Sequence, residues 1–226
     1  MIRFFVCRYY FHIFILPHTT KVNKVIPKNT FDSYTTTKHK KLLSELVYRI
    51  VWAHKISSET TNLNTKEIKE IQVFKIELKS KQDIQPILDM IDKSIPYTII
   101  FVIEFEGLIY LSTSYKHPHP INEDNSVIDW TFQTDWFNPH ENPYKINLKK
   151  NLDAVFHDFC VQLSGKPIFE TKSLGDIIAY TKTVKALESE IEKLKSSIAN
   201  CKQFNKKVEL NLKLKEVEKQ LDEINN

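Results

Sequence analysis

Glycine is nearly missing from this chain, at 3 in 226 residues. That excludes flexible glycine-rich linkers, and no GxGxxG or GxxxxGK spacing exists to cradle a nucleotide phosphate. Cysteine is equally scarce. Cys7, Cys160 and Cys201 are odd in number, far apart and without a CxxC pair, which argues against a disulfide framework or a cysteine zinc site and fits a reducing cytoplasm. Arginine occurs only as Arg3, Arg8 and Arg49, so the net charge of +4 rests on lysine. A charge that small does not by itself indicate nucleic-acid binding. Long apolar runs are absent too. The opening run, MIRFFVCRYYFHIFIL over 1–16, is broken by Arg8 and His12 and ends at Pro17 without a small-residue cleavage site. It is shorter than the roughly 20 residues of a membrane span. It reads as a strand or as an extension added to the protein, and no membrane partner is expected.

What is present is an alternation of strands and short helices followed by a heptad tail. Hydrophobic residues make up 42% of the chain, enough for a real core. The stretch over 68–115 organises it. EIQVFKIELK alternates Phe74, Ile76 and Leu78 against Lys75, Glu77 and Lys79, the pattern of a half-buried strand. A helix follows, with Asp83 as its cap, Pro86 in its first turn and Ile84, Ile87, Leu88 and Ile91 as its apolar stripe. YTIIFVIEF over 97–105 is almost continuously apolar, as a central strand covered on both faces would be. Glu106-Gly107 is a turn, and 108–115 returns as the hairpin partner.

Upstream, 17–41 is a basic arm in which Lys21, Lys24, Lys28, Lys38, Lys40 and Lys41 face one acid, Asp32. Leu43, Leu46, Val47, Ile50 and Val51 then recur at helical spacing, which predicts a helix over 38–54 ended by ISSETTNLN. Downstream, alternation predicts a strand over 127–137. Leu152, Val155, Phe156, Phe159 and Leu163 predict a helix stopped at Gly165. Ser173 caps the last element. Its apolar positions, Ile177, Tyr180, Val184, Leu187, Ile191, Leu194, Ile198 and Cys201, form a heptad seam. That seam spans roughly 40 Å at about 1.5 Å per residue. The phase is lost around 202–207, and a new seam starts at Leu210, Leu214, Val217, Leu221 and Ile224. An antiparallel helical hairpin turning near Asn200 and Asn205 fits this break; one long helix with a stutter is the competing arrangement.

The expected fold class is α+β: a small, mostly antiparallel sheet with packed helices, then a C-terminal coiled-coil hairpin. The expected divisions are an extension at 1–16, a core domain at 17–168 with its basic arm, and the hairpin at 169–226. A chain beginning at Leu16 or Pro17 is expected to fold and stay soluble.

Candidate chemistry is thin. Glu77-Leu78-Lys79 resembles the acid-x-lysine end of a metal-dependent nuclease site, but that site needs a second carboxylate on a paired strand upstream, where a helix and a polar loop are predicted. Alternating charge on the wet face of a strand explains the same residues. His117 and His119, with Asp124 or His140, lack fixed ligand spacing, and the prolines around them fit a solvated loop. No catalytic residue, metal or cofactor is therefore assigned. The candidate contact residues for nucleic acid or a partner are Lys21, Lys24 and Lys28 on the arm, and Lys202, Phe204, Lys206 and Lys207 where the seam breaks.

Several stretches together resemble the prokaryotic family of domains of unknown function DUF4391. They are LPHTTKVNKVIPKNTF over 16–31, IVWAHKISSETTNL, EIQVFKIELK, IDKSIPYTIIF and KQFNKKVELN over 202–211. Where the family usually has Ser-Pro-Glu-Thr, this chain has Ser57-Ser58-Glu59-Thr60. The resemblance implies a genetic neighbourhood of helicases and DNA methyltransferases in restriction-like defence loci. It carries no catalytic residues over. Three expectations follow from it and the residues together. The first is a non-enzymatic accessory subunit working with a helicase or methyltransferase. The second is a small metal-dependent nuclease using Glu77 and Lys79. The third is a coiled-coil homodimer with no nucleic-acid role.

Overall fold

The computed structural model describes residues 13–121 and 126–225. The expected strand or extension over 1–16, with Cys7, falls mostly outside the described residues, and so does Asp124. The chain divides into two compact units between Glu170 and Thr171.

The first unit is built on one six-stranded sheet, β1 (Lys21–Ile26), β2 (Val47–Ser57), β3 (Glu70–Leu78), β4 (Thr98–Phe105), β5 (Leu108–Pro118) and β6 (Ser126–Gln133), lying side by side in chain order. Every neighbouring pair is antiparallel except β3 and β4. Parallel neighbours need a crossover, which is supplied by helix α3 (Gln85–Ser94). Helix α1 (Thr37–Leu46) precedes β2, the single turn α2 (Ser58–Thr61) follows it, and α4 (Leu152–Ser164) follows β6.

The two faces of the sheet follow from strand alternation. Ile50, Phe74, Ile76, Ile99, Phe101 and Ile103 pack with Leu43 of α1 and Ile87, Leu88 and Ile91 of α3 in one cluster. Phe74 and Phe101 meet edge to face there, ring centres 6.2 Å apart. Ile71, Val73, Ile100, Val102 and Leu111 alternate to the other face and are buried as well. Helix α4 packs against β3 and β6. Its Leu152, Val155, Phe156, Phe159 and Cys160 are buried outside the first cluster. β4 is thus covered on both sides, as its continuous apolar run requires. Phe14 joins the interior, 4% exposed and edge to face with Phe159. A chain starting at Leu16 would lose that contact.

The punctuation is local. Glu106 and Gly107 take φ of 47° and 83°, the left-handed pair of a two-residue hairpin turn between β4 and β5. Asp83 accepts the Gln85 N–H at 2.8 Å, and Pro86 sits in the first turn of α3. Gly165 closes α4 at φ 67°. The Asp153 carboxylate, in the first turn of α4, accepts the backbone N–H groups of Lys66, Glu67 and Ile68 at 3.0–3.2 Å, pinning the loop that leads into β3.

One expected element is corrected. The helix predicted over 38–54 stops at Leu46, and Val47–Ser57 is strand β2. The run VYRIVW is β-branched and aromatic, and its Leu46, Val47, Ile50, Val51 spacing suits either structure. Pairing decides: β2 has β1 on one side and β3 on the other. The strand predicted over 127–137 also ends early, at Gln133, leaving Phe137 in an isolated bridge with Ile109.

The second unit is helix α5 (Leu174–Asn200) followed by α6 (Phe204–Asn225). No helix among the described residues is long and apolar enough to cross a membrane.

Candidate interaction surfaces

The hairpin begins at a capping box. Ser173 Oγ accepts the Asp176 N–H at 3.1 Å, and the Asp176 carboxylate accepts from the Ser173 backbone and hydroxyl. Those Ser173 bonds hold the Asp176 carboxyl below the usual carboxylate range. The predicted seams then meet. Ile191 and Leu194 of α5 bury against Val217 of α6, with Leu187, Leu210, Leu214 and Leu221 around them. Each buried aliphatic contributes about 1.5–3 kcal/mol. Tyr180 donates to Asn225 Oδ1 at 2.7 Å, and Lys213 reaches Glu190 at 2.8 Å, so α6 runs back along α5.

The turn differs from expectation. Asn200 ends α5 with its side chain bonded back to the Ser196 carbonyl, and Asn205 lies inside α6. Cys201 makes the turn by leaving the helix at φ −79°, ψ 122°, and the α6 ladder starts when Lys207 N–H reaches the Gln203 carbonyl at 3.0 Å. Three residues therefore suffice without a left-handed glycine or asparagine.

This turn exposes the residues singled out from sequence. Phe204, the first residue of α6, is 79% exposed. Lys202, Lys206 and Lys207 are exposed beside it and make no ion pair among the described residues. The arm lysines separate from one another. Lys21 and Lys24 lie exposed on β1, an edge strand opposite His54 and Trp52 of β2. Lys28 turns inward, donating to the Val47 carbonyl, and burial together with nearby Lys79 pushes its pKa down. Lys28 is half-buried, with that bond holding its ammonium against β2.

The acid-x-lysine stretch sits in a charged strip on the sheet. Its upstream neighbour is a strand, not the predicted helix, and it brings Arg49 rather than an acid opposite Glu77. The second carboxylate comes from the other side: Glu104 of β4 is in register with Glu77. Each is held by a cation, Glu77 by Arg49 and Glu104 by Lys75. Lys79 donates to the Ser44 carbonyl. The histidines do not converge either. His117 Nδ1 pairs with Asp129 at 2.8 Å, while His119 Nδ1 accepts the Ile121 N–H at 3.2 Å. Among the described residues no group of three or more His, Cys, Asp or Glu side chains is placed to hold a metal ion.

Sequence gave no signal for an open cleft of about 880 Å³ lined by Tyr34, His39, Asp83, Asp89, Lys93 and His119, because four separate segments build it. Its polar groups serve local bonds. Asp83 accepts the Gln85 N–H although Ile84, not the expected Asp83, is the N-cap of α3; Asp89 accepts from the Gln85 side chain at 2.6 Å, and His39 closes the capping box of α1.

A family model described as Domain of unknown function (DUF4391) matches residues 14–221, and the chain belongs to that family. No curated protein and no solved structure matches it.

Proposed function

We propose that this DUF4391 chain is a non-enzymatic accessory or adaptor subunit of a cytoplasmic bacterial DNA-processing assembly of the restriction-like, phage-defence kind. It works beside a helicase or DNA-methyltransferase partner, which it meets through the turn end of the helical hairpin. The observation that carries this reading is Phe204, a large aromatic left 79% exposed among Lys202, Lys206 and Lys207. Aromatic side chains with neighbouring cations are the usual anchors of binding surfaces, and burying such a ring on a partner recovers free energy that water denies it.

A second reading, a small metal-dependent nuclease, has one observation in its favour, the register of Glu77 with Glu104. Against it, Arg49 and Lys75 already neutralise those carboxylates, and a metal would have to displace both cations.

The test is copurification of the tagged full chain from its native host. Wild type should retain stoichiometric partners. Lys202→Glu/Lys206→Glu/Lys207→Glu should fold, since the seam is untouched, and lose them. Retention of the same partners by the triple variant would overturn the proposal.

A further inference from the structure

We draw no further inference here: the strongest candidate, the exposed apolar row that Val208 and Leu212 continue from Phe204 along the outer side of α6, has Glu209 and Glu216 on one margin and Lys207 on the other, and nothing in the structure shows what covers it.

Discussion

The Lys116 ammonium on β5 is wrapped into the end of α3 by Asp92, whose Oδ1 it meets at 2.7 Å. The same nitrogen donates to the Asp92 carbonyl and, at 2.6 Å, to the Ile95 carbonyl, so its three N–H groups have three acceptors. Two of these are carbonyls that a helix end leaves unbonded. Side-chain exposure is 4% for Lys116 and 1% for Asp92. Burial pushes the Asp92 carboxyl up and the Lys116 ammonium down, each partly offset by the other.

Such a pair costs desolvation but is worse when broken. Asp92→Ala or Lys116→Ala alone is expected to destabilise by roughly 3–5 kcal/mol, because each strands a buried charge. Asp92→Leu/Lys116→Met should cost much less than the sum of the single changes. Urea unfolding of the variants checks this, and additive losses would contradict it.

Glu77 is expected to matter for stability rather than for chemistry. Glu77→Ala leaves the partly buried Arg49 without its strand partner and should cost about 1–3 kcal/mol. Lys79→Ala, at an exposed residue, should stay within roughly 0.5 kcal/mol. Thermal unfolding separates the two. A Mg²⁺-dependent cleavage of DNA or RNA by the purified chain that disappears in Glu77→Ala would instead favour the nuclease reading.

The 46–57 stretch shows where the sequence was hard to read. Leu46, Val47, Ile50 and Val51 fit a helix stripe, and only the strands on either side make them β2. Arg49 comes opposite Glu77 only through that pairing, which no local pattern in the sequence specifies. Local signals read more faithfully: the Glu106-Gly107 turn, the Gly165 stop and the Ser173 cap need no distant partner. The two seams of the tail were legible because their phase break marks a turn in the chain itself. The bond from Lys28 to the Val47 carbonyl is not legible in the sequence, since composition reports a lysine's charge and not the group that receives it.

Ser58 offers a stabilising change. It is the first residue of α2, after Ser57 as cap. Proline suits a first helical position. Ser57, at φ −144° and ψ 173°, already has the extended backbone that a following proline demands. Ser58→Pro should add about 0.4–1 kcal/mol by restricting the unfolded chain. A lowered melting temperature would show that the Ser58 N–H has a use in the folded state.

The account turns on the hairpin end being the surface a partner meets. The direct measurement is site-specific photo-crosslinking in the native host, with the reactive residue placed in turn at Phe204, at Val25 on the β1 edge and at Gln220 on α6. Position 204 is predicted to yield adducts of one defined mass that are absent from 25 and 220. Adducts from Val25 with none from Phe204 would contradict the account and move the contact to the edge of the sheet.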